Sequence, residues 1–477
     1  MDRNIFIGRE YEIRQLEKYR NSPESEFVIV YGRRRVGKTF LVKEFFDDTY
    51  DFKVTGLYKK DKKTQLKNFY LALLEYGADV KAIPSDWLEA FSMLKKLLKG
   101  ITEKRKKIVF IDELPWLDTR QSDFLSAFES FWNDWGAQQN DIMLVVCGSA
   151  TTWITKKIFS DKGGLFNRAA RRLFLMPFSL NETERYLRSR GIFWGRQDIV
   201  ECYMCMGGIP YYLKLLDNGL SLIENVDSIY FKRNGALWDE FDHLYETLFG
   251  NARGYRTIID ALSEKKSGLT RNEIIAKTSL PDNGLLSEML DNLKNSQFVR
   301  AYNTFGYDEK YVVYQLADYF TLFYLRYLKG KQNPDEHFWR HFLDNPAKNV
   351  WAGYTFEQVC KDHIPQIKRA AGIGGILCDI SSWRGKSESG SAQIDLVIDR
   401  RDRSINICEI KYSNTEYTIS AEYEASLRNK MQIFREATHT RKALQLMMIS
   451  TFGVRNNSHS GLVQSQVVLD DLFADNN

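Results

Sequence analysis

The chain has 477 residues, and its 67 lysines and arginines against 62 aspartates and glutamates give a formal net charge of +5. Hydrophobic residues make up 44% and charged residues 27%, which excludes a collagen-like or largely disordered protein and predicts about three globular domains. This mild positive charge neither establishes nor excludes a nucleic-acid partner.

Targeting and membrane segments are not predicted. The first four residues are polar with no apolar core behind them, and no run reaches the ~18 apolar residues that span a bilayer. Six cysteines in a chain this long do not form a disulfide framework and fit a reducing compartment. We therefore expect a cytoplasmic protein, in which the lone pair Cys202 and Cys205 are core residues rather than zinc ligands.

The first 180 residues alternate apolar runs with amphipathic helical stretches. The runs predict buried parallel strands at Phe27–Tyr31, Ile108–Ile111 and Ile142–Cys147. Helices are predicted between them, for example at Gln65–Leu74 and Trp87–Leu98. Such alternation predicts an α/β fold with a parallel sheet covered on both faces.

A phosphate-binding loop is predicted directly after the first strand. The match to GxxxxGK[ST] comprises Gly32, Arg33, Arg34, Arg35, Val36, Gly37, Lys38 and Thr39. Its backbone N–H groups and the following helix N-terminus would hold phosphate oxygens. Lys38 would reach the β- and γ-phosphates, and the Thr39 hydroxyl would bind Mg²⁺.

Polar residues end the next two strands. Asp112 and Glu113 follow an apolar strand, where Asp112 would hold Mg²⁺ and Glu113 would orient or deprotonate the attacking water. Ser149 ends the third strand and could sense the γ-phosphate, although a helix N-cap is an equally good interpretation. Arg168 could neutralise transition-state charge in cis or in trans, with Arg171 and Arg172 as competing candidates.

These elements, with Phe6–Glu10 before them and Gly207–Tyr212 after them, resemble the archaeal-type ATPase family of the AAA+/STAND group over about Met1 to Leu216. The resemblance implies ATP rather than GTP. It also implies that Gly8 and Arg9 lie near the adenine and that Pro210 belongs to a helical lid, which we expect at residues 181–250.

Residues 251–345 are expected to form a winged helix and a linker helix. Three helical stretches precede a hairpin near residues 303–310, at Tyr255–Ser263, Thr270–Thr278 and Asn283–Asn295. The third helix carries Glu288 and Asp291, which makes it a poor phosphate partner. A docking module is therefore at least as good an interpretation as a DNA reader. The aromatic helix that follows is predicted to pack between domains.

The last segment, residues 346–477, contains a second set of acids. A helix with Glu357 precedes a polar stretch at Gly385–Ser391, predicted as a mobile loop, and then two strands. Those strands are predicted at Gln393–Asp399 and Ser404–Lys411. A turn centred on Asp402 would set Asp395 opposite Glu409, and opposed like charges are destabilising unless a cation lies between them. Lys411 could then activate a water.

This pattern resembles the PD-(D/E)xK, restriction-endonuclease-like fold over about Trp351 to Leu469. The resemblance implies that Asp395, Glu409 and Glu357 hold a metal and that Asp395, Glu409 and Lys411 form a nuclease-like site. A surface charge cluster, or a nuclease fold that only binds, remains the alternative.

The sequence thus predicts an ATP- and Mg²⁺-dependent ATPase that controls a nuclease-like domain acting on DNA rather than RNA, with no membrane partner and possible self-association. The alternative is a STAND-type signalling switch whose C-terminal domain binds a partner without cutting.

Overall fold

A computed structural model describes residues 6–149, 151–159, 170–248, 252–306, 312–330 and 335–475. The chain divides into two compact units, Met1–Pro177 and Phe178–Asn477. Across these described ranges, no helix is both long and apolar enough to cross a bilayer.

The first unit is built on a five-stranded parallel sheet in the order β2-β3-β4-β1-β5. Its strands are β1 (Glu26–Gly32), β2 (Phe52–Thr55), β3 (Lys107–Asp112), β4 (Ile142–Gly148) and β5 (Ala170–Leu175). Its helices are α1 (Glu10–Arg20), α2 (Lys38–Phe45), α3 (Lys62–Glu75), α4 (Trp87–Gly100), α5 (Phe124–Asp134) and α6 (Thr151–Lys157). The predicted parallel α/β sheet is therefore confirmed.

An aromatic layer covers one face of this sheet. Phe27 of β1 packs on Phe128 and Trp132 of α5, with ring centroids 5.7 and 5.4 Å away. Every residue of β4 is buried, as a central strand covered by helices on both faces requires. The core therefore holds the carboxyl ends of β1, β3 and β4 in register at one edge of the sheet.

The second unit begins with a helical segment, followed by three helices and a small antiparallel sheet in the order β6-β8-β7. The first helices are α7 (Leu180–Ser189), α8 (Arg196–Met206), α9 (Pro210–Leu213), α10 (Leu222–Val226) and α11 (Glu240–Leu248), with a π-helical turn at Asp227–Phe231. The next elements are α12 (Ala252–Ser263), β6 (Leu269–Thr270), α13 (Arg271–Thr278), α14 (Gly284–Asn295), β7 (Val299–Asn303) and β8 (Val312–Leu316). Part of the predicted hairpin, residues 307–311, lies outside the described residues.

Two helices then lead into the last segment. The aromatic side chains of α15 (Tyr319–Tyr327) pack against other helices. The ring centroids of Tyr319 and Tyr203 are 5.1 Å apart, and Phe323 contacts Trp339 and Trp351. The short α16 (Phe338–His341) follows. Core packing, rather than a ligand-binding aromatic box, accounts for α15.

A mixed five-stranded sheet in the order β13-β12-β11-β10-β9 closes the chain. Its elements are α17 (Pro346–Asp362), α18 (Ile364–Ala370), β9 (Cys378–Ser387), β10 (Gly390–Arg400), β11 (Ser404–Lys411), α19 (Ala421–Thr438), β12 (Ala443–Ser450) and β13 (Val463–Val468). The neighbours of β10 are antiparallel, whereas β11, β12 and β13 run parallel.

The prediction of a mobile loop at Gly385–Ser391 is wrong. Those residues end β9, turn and begin β10, with Ser387 paired to Gly390 and Gly385 to Ala392. The edge strand β9 was not predicted, because its polar and glycine residues lack the apolar alternation of a half-buried strand.

All six cysteines are unpaired thiols, as predicted. Five are buried, including Cys202 and Cys205 inside α8, and Cys378 at the start of β9 is partly buried. Burial raises the pKa of the Cys205 thiol well above its usual value, so it is an inert core residue.

Candidate functional sites

The phosphate-binding loop connects β1 to α2 as predicted. Gly37 caps the helix in a left-handed conformation, with φ of 90°. Lys38 is buried, and its ammonium donates to the Gly32 and Arg33 carbonyl oxygens at 3.1 and 2.9 Å. Burial lowers the pKa of Lys38, partly opposed by the Glu113 carboxylate. Phosphate oxygens fit a cationic group placed in this way.

Thr39 and Asp112 come together across the sheet edge. The Thr39 hydroxyl donates to Asp112 Oδ2 at 3.0 Å, which joins the start of α2 to the end of β3. Burial, helped by the neighbouring Glu113 carboxylate, raises the pKa of Asp112. A hydroxyl and a carboxylate at this separation are suitable oxygen ligands for Mg²⁺.

Glu113 and Ser149 form a second contact beside the first. Glu113 has φ of 47°, and its carboxylate accepts from the Ser149 hydroxyl at 3.0 Å and from the Ser149 N–H at 3.3 Å. Because β3 and β4 are neighbours, the residues that follow them, Glu113 and Ser149, lie side by side. The left-handed backbone of Glu113 turns the chain at the site, a conformation that costs energy in a non-glycine residue.

Arg9 connects the phosphate-binding loop to the segment that follows β5. Its guanidinium donates to the Val36 carbonyl at 3.1 Å and to the Met176 carbonyl at 2.8 Å, while Gly8 beside it is buried with φ of 67°. This link between the phosphate-binding loop and the residue after β5 was not predicted, since it depends on two distant backbone carbonyls.

The three arginine candidates lie in different surroundings or outside the described residues. Arg168 lies outside the described residues. Arg171 forms an ion pair with Glu26 at 2.8 Å, at the end of β1 opposite the phosphate-binding loop, and Arg172 lies over the Phe159 ring at 3.9 Å. Neither position suits a γ-phosphate contact, so Arg168 remains the candidate on position in the sequence alone.

Pro210 lies in the second unit, where it begins α9. Gly208, two residues before Pro210, lies against the backbone of Phe178. The Phe178 N–H donates to the Gly208 carbonyl at 2.7 Å. A Cβ at Gly208 would fall 1.9 Å from the Phe178 carbonyl oxygen, so only glycine fits there.

A second constellation forms at the end of the mixed sheet. Leu396 pairs with Cys408 and Asp399 with Ile405, so the register is centred on residue 402 as predicted. The β10–β11 ladder stops at Leu396, one residue short of the predicted opposition of Asp395 and Glu409, and the pairing of β10 with β9 is irregular between Ile394 and Val397. Asp395 accepts from the Gln393 amide at 2.8 Å.

Glu409 is surrounded by donors. Its side chain is 12% exposed and accepts from Lys430 at 2.6 Å and from the Tyr423 hydroxyl at 2.7 Å, with Lys411 at 3.1 Å. Although burial raises the pKa of Glu409, Lys430 and Lys411 outweigh it and lower the pKa overall. Tyr423 and Lys430 belong to α19, and neither was predicted from the sequence as a site residue.

Glu357 is held near its protonated form. Burial and the Asp395 carboxylate raise its pKa to about 8, opposed by Lys361 and Lys266. The site therefore has one ionised and cation-paired acid, Glu409, beside a carboxyl that keeps its proton at neutral pH. Across the described residues, no cluster of three or more His, Cys, Asp or Glu side chains is arranged to hold a metal.

Comparison with known proteins supports the first site. Residues 6–216 match the model of a family described as an ATPase domain predominantly from Archaea. This match confirms the resemblance predicted for that segment and supports ATP binding and hydrolysis.

Two proteins of Methanocaldococcus jannaschii are similar in sequence. An uncharacterized protein is 25% identical over 419 residues, covering 86% of this chain and 88% of that protein. An uncharacterized ATP-binding protein is 43% identical over 44 residues, covering 9% of this chain and 75% of that protein.

Two solved structures match this chain with low TM-scores. The Walker-type ATPase of Pyrococcus abyssi is 20% identical with a TM-score of 0.45, covering 68% of this chain and 97% of that chain. Cdc6p of Pyrobaculum aerophilum is 14% identical with a TM-score of 0.33, covering 74% of this chain and 94% of that chain.

Proposed function

We propose that the protein is an ATPase whose nucleotide state controls a Mg²⁺-dependent, nuclease-like site acting on DNA. The observation that carries the proposal is the second constellation, in which Glu357, Asp395, Glu409 and Lys411 meet at the end of a mixed sheet. Buried acids are costly, and a raised pKa beside a charge partner is typical of functional sites.

In the first site, Lys38 binds the β- and γ-phosphates and replaces its carbonyl partners with phosphate oxygens. Thr39 and Asp112 would hold Mg²⁺, and Ser149 positions Glu113, which would orient the attacking water or take its proton. Gly8 and Arg9 lie by the adenine, Pro210 belongs to the lid, and Arg168 contributes charge at the γ-phosphate.

In the second site, the carboxylates of Asp395, Glu409 and Glu357 are not arranged to hold a metal, so they would have to move together before they could hold Mg²⁺. The ion would then supply electrophilic activation of a phosphodiester. Lys411, two residues from Glu409 on the same strand, polarises or deprotonates the attacking water. Glu357 would have to give up its proton to hold a cation, and the positive charge would favour its carboxylate.

One helix connects this site to the rest of the second unit. The residue after Glu357 in α17, Gln358, accepts from Arg300 of β7 at 2.7 Å, and Asp362 accepts from the Tyr319 hydroxyl at 2.5 Å. Tyr319 in turn packs on Tyr203 of the proposed lid. We propose that these contacts transmit the nucleotide state to Glu357, with the winged-helix segment as coupler.

A second candidate function is a STAND-type switch with a C-terminal domain that binds without cutting. It is favoured by the donors around Glu409, because Lys430, Lys411 and Tyr423 already satisfy both carboxylate oxygens. A metal would have to displace at least one of them.

Cleavage assays distinguish the two functions. Plasmid DNA, single strands and RNA are incubated with Mg²⁺ or Mn²⁺, with and without ATP, using the wild type, Lys411→Ala and the exposed β9 control Lys386→Ala. The nuclease function is supported if ATP modulates cleavage, Lys411→Ala abolishes it and Lys386→Ala retains it. ATP hydrolysis without cutting of any substrate supports the switch.

A further inference from the structure

Two cavities adjoin at Asp395. One, of about 330 Å³, has Glu357, Asp395 and Lys411 on its wall. The other, of about 230 Å³, lies between the turn before β6, the strands β7 and β8, and the edge of the mixed sheet at β9 and β10. They share Ser267, Gln393 and Asp395, so the two cavities are adjacent, and the two together are called the path. Three residues of the proposed nuclease-like site, Glu357, Asp395 and Lys411, line it.

The wall of this path is more positive than negative. Its five cationic side chains are Lys265, Lys266, Lys361, Arg384 and Lys411, and its three carboxylates are Glu273, Glu357 and Asp395. One of those acids, Glu273, is already paired with Lys265 at 2.5 Å. A path with this charge attracts anions, and a polyanion can contact several of these cations at once.

The turn that carries two of these cations is rigid. The Tyr302 hydroxyl donates to the Ser267 carbonyl at 2.9 Å, and the Gln315 amide donates to the Lys266 carbonyl at 2.6 Å. Gly268 has φ of +78°, and a Cβ there would fall 2.6 Å from the Tyr314 carbonyl oxygen. The cations therefore project from a preorganised wall, which lowers the entropic cost of binding.

The shape of the path favours one strand over two. The cavity volumes of about 330 and 230 Å³ lie near the lower end of the roughly 300–1,000 Å³ of ligand pockets, so they have room for single nucleotide units and are too small to enclose a duplex. A duplex is read by a protruding helix in its groove. The helix in that position of the fold, α14, lines neither cavity and presents the acids Glu288 and Asp291.

We propose that this path binds a single strand of nucleic acid, with Lys265, Lys266, Lys361 and Arg384 contacting phosphates around Asp395. The substrate class is a free strand, an overhang or a flap. The inference rests on the proposed function, since it identifies what the nuclease-like site receives. It assigns strand binding to the sheet side of the winged-helix segment instead of to α14.

Binding without cleavage tests this proposal. Fluorescence anisotropy of the full chain in EDTA measures a labelled 20-nucleotide DNA strand, the matching duplex and the RNA strand over a salt series. We expect the strand to bind at least about tenfold more tightly than the duplex. Lys266→Glu and Arg384→Glu should each weaken strand binding about tenfold, and Arg384→Ala should reduce the salt slope by about one.

Lys294→Glu on the exposed face of α14 is the matched control and should change strand affinity less than about twofold. Equal or tighter binding of the duplex, or an equal loss in Lys294→Glu, would overturn the proposal. A strand that is bound but never cut supports strand binding and removes the nuclease. A duplex that is cut without any strand preference retains the nuclease and removes the strand path.

Discussion

The two candidate sites satisfy their carboxylates in different ways. In the first unit, Asp112 and Glu113 accept from the neutral side chains Thr39 and Ser149, and Lys38 donates to two backbone carbonyls. In the second unit, Glu409 is ion-paired with two lysines. The first arrangement leaves charge for a ligand to satisfy, whereas the second must exchange an internal cation for an external one.

The largest effect is expected at Lys38. Lys38→Ala removes the charge that meets the phosphates, so ATP turnover should fall about 1,000-fold. Lys43→Ala, on an exposed face of the same helix, should retain turnover. Steady-state hydrolysis measured with a melting curve for each variant tests this, and normal turnover in Lys38→Ala would disprove the assignment of the loop.

The second-largest effect is expected when an ion pair of Glu409 is broken. Lys430→Met leaves a buried acid with one lysine, so the second unit should lose about 3 kcal/mol of unfolding free energy. The double variant Glu409→Gln with Lys430→Met should recover most of that loss. Urea denaturation of the four members of the cycle measures the coupling, and additive losses would show that the pair is unimportant for stability.

Glu113→Gln should lower ATP turnover about 100-fold while nucleotide binding is retained, because the amide preserves the shape but cannot take a proton. Ser149→Ala should have a smaller effect in the same direction. Single-turnover hydrolysis and nucleotide titration separate the two steps. Loss of binding in Glu113→Gln would mean that the carboxylate is structural.

The smallest effect concerns pH. The pKa of Glu357 is raised from 4.5 to about 8, so the folded state binds the extra proton. The stability that this proton contributes is complete below pH 4.5 and is lost as pH rises through 8. Glu357→Gln should therefore be more stable than the wild type at pH 8.5 by about 2 kcal/mol, with little difference at pH 5. Parallel pH curves from thermal unfolding would contradict this.

The difference between the sites also explains what the sequence could predict. Asp112 ends β3, Ser149 follows β4, and Lys38 begins the helix after β1. Because parallel strands bring their carboxyl ends together, a linear pattern specifies this site. The register of β10 with β11 followed from the symmetry of one turn, but the ladder ends one residue before Asp395 and Glu409. Lys430, Tyr423 and Lys266 reach the second site from elements that only the tertiary fold brings there, and no local pattern marks them.

The position of Cys378 has a practical consequence for watching the second site. It is the one cysteine of the six that is not buried, and it starts β9, six residues before Arg384. At about 3.3 Å per residue, a dye on this thiol would lie about 20 Å along the strand from Arg384. A maleimide fluorophore can therefore be attached to the native chain with no cysteine removed. Energy transfer from it to a labelled oligonucleotide would report arrival and departure in real time.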